Sequence, residues 1–354
     1  MIKTDLGWNT FFEKSFEPYH SEGYQAGRVS LEHKHMYRVL TESGEVLAEV
    51  SGKMRHLAIH REDYPAVGDW VVVSIRAEEQ RATVHAVLPR QSKFSRKVAG
   101  QVTEEQIVAT NVNTVFLVTA LNQDFNVRRI ERYLVLAWES GANPVIVLSK
   151  ADLCEDPEAL AAEVAVIAVG VPIHIISSAA NRGLDQLAPY ISRGQTVALL
   201  GSSGVGKSTL VNHMYGEAIL ETGDIRFGDD KGKHTTTHRE LITLPGGGIL
   251  IDTPGMRELQ LWDASEGLST SFQDVEDIAE TCFFQDCKHA NEPKCAVKNA
   301  LDEGTLGLER FQSYLKLQKE LAYLARKEDK GLQAAEKAKW KKLHQSMNSQ
   351  NNRL

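Results

Sequence analysis

Gly201-Ser202-Ser203-Gly204-Val205-Gly206-Lys207-Ser208 fits the pattern G-x-x-x-x-G-K-[ST] at every fixed position. Residues of these types at this spacing bind phosphate. Glycines let the backbone curl so that successive N–H groups point inward, and a helix N-terminus, here opening on Thr209, adds partial positive charge. Lys207 is then placed to reach the terminal phosphates of a nucleotide, and the Ser208 hydroxyl to hold Mg²⁺. A second cluster, Cys282-x₄-Cys287-x-His289-x₅-Cys295, gathers three thiols and an imidazole within 14 residues. That is the donor set of a closed tetrahedral Cys₃His site for one structural Zn²⁺ per chain, with no open position left for water. Phe283 and Phe284 are the only large apolar residues inside the segment, so its fold depends on the metal staple. Cys154 lies far from the cluster and reads as a small buried residue.

Three further groups bear on the nucleotide. Asp252-Thr253-Pro254-Gly255 has the D-x-x-G form, with Asp252 for the Mg²⁺ shell and the Gly255 amide for the γ-phosphate. Ser149-Lys150-Ala151-Asp152 resembles the guanine-reading N-K-x-D motif, in which the aspartate accepts from the ring N–H and the exocyclic amine, a donor pair adenine lacks. Ser149 stands where Asn is usual, and the shorter hydroxyl puts the bridge from base to phosphate loop in question. Ser177-Ser178-Ala179 resembles the second base-contacting loop. The competing reading of Asp152 is a helix cap. Met256 occupies the position where Ras-like enzymes place the glutamine that orients water, and a thioether cannot do that, so slow intrinsic hydrolysis is expected. In the stretch 231–238, Thr236 or its neighbours Thr235 and Thr237 supply a Mg²⁺-contacting threonine. His234 and His238 flank them, either positioning water or standing exposed on a switch loop.

These groups need elements to hold them. Thr114–Val118, Pro144–Leu148, Thr196–Leu200 and Gly248–Ile251 are continuous apolar runs, and the segments between them, Val127–Ser140, 157–169 and 184–191, read as helices. That alternation predicts a parallel sheet with helices on both faces and the motifs at its strand ends. Upstream, Met36–Thr41, Glu45–Val50, 66–73 and 82–88 read as short strands of a small barrel, either an oligonucleotide-binding OB-fold or a packing module. Residues 1–30 read as a loosely structured lead-in, Lys93, Arg96 and Lys97 as a basic linker, and Asp263–Glu280 as a solvated acidic connector. Leu306–Ala325 has Tyr314, Leu317, Leu321 and Leu324 at helical spacing. A chain of 354 residues requires two or three cores. The net charge of −7 hides a tail, Leu321–Leu354, with eight basic residues against three acidic, suited either to an RNA backbone or to solvent. No apolar run is long enough for a bilayer and the N-terminus lacks signal-peptide character, so a cytoplasmic protein without membrane contact is expected.

The base-reading motifs precede the phosphate loop, the reverse of the ordinary GTPase order, which implies circular permutation. With Val67-Gly68-Asp69-Trp70, Gly232-Lys233-His234-Thr235-Thr236-Thr237 and the cysteine cluster, the chain resembles the RsgA (YjeQ/YloQ) family across roughly residues 30 to 330. The resemblance implies a multi-domain protein: N-terminal OB-fold β-barrel, circularly permuted α/β P-loop GTPase domain, and C-terminal α-helical zinc-binding domain. The expected boundaries are a lead-in at 1–30, barrel 31–100, GTPase domain 101–262, zinc domain 263–330 and basic helix and tail 331–354. It further implies a monomer that binds GTP and GDP with Mg²⁺, docks on the small ribosomal subunit and its rRNA, and assists late maturation under stimulation by the subunit. Two alternatives stand beside it: an RNA-binding assembly module with negligible turnover, and a P-loop ATPase.

Overall fold

The computed structural model describes residues 2–33, 36–98, 104–218, 239–252, 265–290 and 292–325. The expected lead-in is ordered: helix α1 (Thr10–Phe16) is capped by Asn9, whose side chain accepts from the Phe11 and Phe12 amides. Leu6, Trp8, Phe12 and Phe16 are buried from this segment around Trp70, with Trp8 and Trp70 edge to face at 4.7 Å.

Five strands follow: β1 (Gln25–His33), β2 (Met36–Thr41), β3 (Gly44–Val50), β4 (Trp70–Arg76) and β5 (Arg81–Val87), with helix α2 (Gly52–Leu57) between β3 and β4. Their order is β1-β2-β3-β5-β4, and β4 pairs back onto β1, closing a barrel. The closed five-strand order with parallel β3–β5 contact is the OB-fold. Gly68 sits in the left-handed region at φ +96°, where a Cβ would lie 2.2 Å from the Thr110 carbonyl. Asp69 is buried and grips Arg90 through both carboxylate oxygens at 2.8 and 2.7 Å. Thus Val67-Gly68-Asp69-Trp70 is a fold determinant: a close approach, an ion pair and a core indole.

The basic linker is a strand. β6 (Lys93–Val98) and β7 (Glu104–Thr110) form an antiparallel hairpin in which Lys93 meets Glu105 at 2.9 Å and Arg96 meets Gln106 at 2.9 Å. Cross-strand pairs, rather than a phosphate backbone, take up two of these cations.

The second core is a sheet of β8 (Thr114–Ala120), β9 (Asn143–Ser149), β10 (Ile173–Ile175), β11 (Thr196–Leu200), β12 (Glu240–Thr243) and β13 (Ile249–Asp252), ordered β10-β9-β8-β11-β13-β12. All contacts are parallel except β12–β13. β8 is buried along its whole length, which is why it reads as an unbroken apolar run. Helices α3 (Val127–Ser140), α4 (Pro157–Ile167) and α5 (Lys207–Tyr215) cover the sheet. The Asn126 side chain caps α3 at one end and Gly141 ends it at φ +80°. Leu184–Ile191 is 3₁₀ rather than α, with Pro189 inside it.

The acidic connector is also structured. α6 (Ser265–Ser271) and α7 (Gln273–Glu280) bury Leu268, Phe272 and Val275 at spacings of four and three, and Gly267 lets α6 approach the backbone of α3. α8 (Ala296–Asp302) and a helical stretch at 308–325 complete this end, burying Phe311, Tyr314 and Leu317. Among the described residues no helix is long and apolar enough to cross a membrane.

Candidate nucleotide site and metal centre

β8, β9, β10, β11 and β13 run in one direction, so their carboxyl ends lie along one edge, and the nucleotide motifs sit at the carboxyl ends of β9, β10, β11 and β13. Leu200 at the end of β11 delivers Gly201, where a Cβ would sit 2.3 Å from the Val118 carbonyl. Gly204 and Gly206 have φ +73° and +94°, a conformation L side chains rarely adopt. α5 then begins at Lys207, presenting the amides of its first turn with Ser208 and Thr209. The Lys207 ammonium lies across the loop and donates to the Gly201 and Ser202 carbonyls at 2.7 and 2.5 Å. Asp252, at the end of β13, is raised above the usual carboxylate range by burial, an effect Lys207 opposes and Glu240 reinforces.

On the other side of the edge, Lys150 takes the left-handed conformation at φ +58° and turns the chain so that Asp152 follows β9 in an exposed position. Ser177 Oγ donates a short hydrogen bond to Asp152 Oδ1 and accepts from the Ala180 amide at 3.0 Å. Ser177 is buried, Ser178 half-buried and Ala179 exposed. The loop after β10 therefore orients the carboxylate, and Asp152 is no helix cap: the cap of α4 is Asp156. Ser149 keeps the phosphate-loop half of the bridge that its short side chain put in question. Its hydroxyl donates to the Val205 carbonyl at 2.6 Å, tying the end of β9 to the phosphate loop.

One contact escaped the sequence reading. Arg129 Nη1 donates to Ser202 Oγ at 2.9 Å, while Asp124 holds the same guanidinium at 2.6 and 3.0 Å. The available signal was an acidic residue just ahead of α3 and a basic residue in its first turn. Thr236, His234, His238, Gly255 and Met256 lie outside the described residues.

The metal-ligand atoms of Cys282, Cys287, His289 and Cys295 lie within 4.8 Å of one another. Cys282 Sγ is 3.9 Å from Cys295 Sγ and 3.6 Å from His289 Nδ1. A tetrahedron of Zn–S bonds of about 2.3 Å has edges near 3.8 Å, so the cluster fits a structural zinc. Burial holds the His289 imidazole below its ordinary value, toward the neutral form a metal ligand requires. Cys154 packs at the margin of the main core, away from the cluster.

A phosphate loop, a guanine-type loop pair on the same sheet edge and an inverted motif order define a circularly permuted P-loop GTPase carrying an OB-fold and a zinc-binding domain. Residues 87–262 match the family model described as RsgA GTPase; a model described as ABC transporter matches 184–348, a span that contains the phosphate loop. The chain is 48% identical over 354 residues to the small ribosomal subunit biogenesis GTPase RsgA of Opitutus terrae, covering 98% of this chain and 96% of that one. It is 49% identical over 327 residues to the small ribosomal subunit biogenesis GTPase RsgA 1 of Oceanobacillus iheyensis, covering 92% and 93%. Among solved structures, YjeQ from Thermotoga maritima matches with TM-score 0.62 and 31% identity over 84% of this chain and 99% of that chain. YloQ, a circularly permuted GTPase, matches with TM-score 0.62 and 26% identity over 86% and 97%. The chain belongs to the RsgA GTPase family, and is a GTP-hydrolysing enzyme with Mg²⁺ as the ion of its nucleotide.

Proposed function

We propose that this chain is a GTP hydrolase that docks on the small ribosomal subunit and its rRNA and assists late maturation, with turnover raised by the subunit. The observation that carries the guanine half is Asp152, held by Ser177 and standing on the same edge as the phosphate loop, which Ser149 joins to β9. The ribosomal half rests on relatives of 48% and 49% identity named for small-subunit biogenesis.

In this reading Asp152 reads guanine, the Lys150 stem lies along the base and Ser178 and Ala179 line the base loop. Gly201 to Ser208 and Thr209 cradle the phosphates, with Lys207 leaving its own loop carbonyls to meet them. Mg²⁺, when bound with GTP, neutralises charge on the phosphate oxygens. Ser208, Thr236 and Asp252 are its partners, Gly255 senses the γ-phosphate, and His234 or His238 orients water in place of the glutamine that Met256 displaces. Barrel, zinc domain and basic tail hold rRNA; the protein acts as a cytoplasmic monomer. The domain limits near residues 30, 100, 262 and 330 belong to the same reading.

The test is GTP turnover titrated separately with purified small and large subunits. Stimulation by the small subunit alone is expected; equal or absent stimulation removes the ribosomal half. A chain that binds GTP but does not turn it over with subunits would instead be an assembly module, and efficient competition by ATP together with a silent Asp152→Asn would mark an ATPase.

A further inference from the structure

α3 faces two parts of the molecule at once. Arg129, in its first turn, is fixed by a two-pronged grip from Asp124 and donates to Ser202 inside the phosphate loop at 2.9 Å. A planar guanidinium whose two Nη atoms are both held by one carboxylate is a stiff strut, because that fork leaves little rotational freedom. The neighbouring positions turn to the zinc-binding end. Arg310, on the helical stretch that follows α8 beyond the metal-ligand segment, donates to Glu131 at 2.8 Å and to Asp274 at 2.7 and 3.1 Å. The next residue of α3, Arg132, meets Glu320 of the 308–325 helix through two bonds at 2.7 and 2.8 Å. α6 packs along the same helix, and Glu139 accepts from the Gly267 amide at 3.0 Å. A 14-residue helix capped at both ends is a rigid body between them.

We infer that Arg129 is a positioning residue of the hydrolytic site, which holds the phosphate loop through Ser202 and passes to it, along α3, displacements of the zinc-binding domain. This rests on the GTPase reading above. Ser202 is the second residue of the loop, ahead of the amides that cradle phosphate, so a shift of its side chain tilts the entry to that cradle. Arg129 touches no reacting atom. Its effect falls on loop placement, and a misplacement of the order of 1 Å in a phosphate-transfer site is costly in rate. In the same way, whatever docks on the zinc-binding domain gains a mechanical route to the phosphates that does not pass through the switch segment.

The experiment compares steady-state GTP turnover, nucleotide affinity and melting temperature of the full chain with Arg129→Ala, Arg129→Lys, Ser202→Ala and the Arg129→Ala/Ser202→Ala double variant. Arg129→Ala is expected to lower kcat about tenfold with KM changed far less, Lys to restore little because it lacks the fork, and the double variant to be no slower than the worse single one. Additive losses, or a Ser202→Ala variant with wild-type turnover, overturn the inference. So does an Arg129→Ala defect accounted for by a fall in melting temperature. The second arm is Arg132→Ala, outside the nucleotide site, with turnover measured with and without small subunits. A reduced stimulation factor at unchanged basal turnover is expected; unchanged stimulation overturns the α3 route. If the unmodified chain hydrolyses no GTP under any condition, the GTPase reading itself has failed, whereas normal hydrolysis in all four variants sinks this inference alone.

Discussion

Two buried arginines hold the GTPase sheet to its neighbours, and they do it by opposite means. Arg28, on β1 of the barrel, is 1% exposed and surrounded by neutral acceptors: the Leu6, Gly68 and Asn111 carbonyls and the Thr196 hydroxyl, the last three at 3.2, 3.1 and 2.9 Å. Burial drives its guanidinium below the ordinary value, with Asp69 opposing from a distance. Arg310, at the zinc-binding junction, is also largely buried, but there the desolvation is outweighed by Asp274 and Glu131, which hold it above. Each arrangement sets a different failure mode. Around Arg28 four chain segments, the lead-in, the barrel, the link after β7 and β11, converge on one side chain and lose their donor together. Around Arg310 the risk is a fully buried carboxylate, Glu131, left with only the partly exposed Arg128 as its charged partner among the described residues.

The contrast is sharpened most by taking away the metal. Zinc sites of this kind carry about 10 kcal/mol or more of folding free energy, so chelation should strip hydrogen-exchange protection from α8 and its surroundings while β4, around Trp70, stays protected. Loss of protection at both ends would mean the two junctions are one cooperative unit and would break the comparison. Next in size, Arg28→Met should cost about 4 kcal/mol in urea unfolding, since buried carbonyls are orphaned in one step. Arg310→Met should cost about 3 kcal/mol, and adding Glu131→Gln should recover part of it, as the buried charge disappears. Among the described residues Arg28 has no ion-paired carboxylate to neutralise, so rescue at one junction and not the other is the signature. Smallest is the Arg132–Glu320 pair. Arg132 holds the Glu320 carboxyl below its ordinary 4.5, so its contribution is complete above about pH 4.5 and is lost as pH falls through the lower folded-state value. Both groups are partly exposed, so Glu320→Gln should flatten that acid slope by no more than about 1 kcal/mol.

Much of the site was legible in the residues because its chemistry is local. A phosphate loop needs its glycines and lysine in one octapeptide, and four zinc ligands within 14 residues announce themselves. α3 was readable to the residue, with Asn126 and Gly141 at its ends, and β8 was readable because both of its faces are buried, although it runs two residues past Val118. β1 was not. Gln25–His33 buries five consecutive residues, one of them Arg28 and one glycine, so it shows neither alternation nor an apolar run. The β6–β7 hairpin hid because its charges are paired across strands, and α6 and α7 because their acids outnumber the three apolar residues that fix them. The Ser149 bridge was invisible for a different reason: whether a hydroxyl reaches a carbonyl 56 residues away depends on how closely β9 and the phosphate loop approach, which no spacing encodes. Arg129 belongs to the same class.

The seam between barrel and GTPase sheet has one more consequence. Leu31 of β1 pairs with Glu240 of β12, so all eleven strands form one continuous sheet whose far end curls shut upon itself. A flat parallel sheet ordinarily ends in two rows of unsatisfied amides and carbonyls, each a template for another chain to join. Here the barrel consumes one of those ends, and among the described strands the other is β10, only three residues long. Among the described strands the large sheet thereby leaves almost no border, which guards it against strand-to-strand self-association.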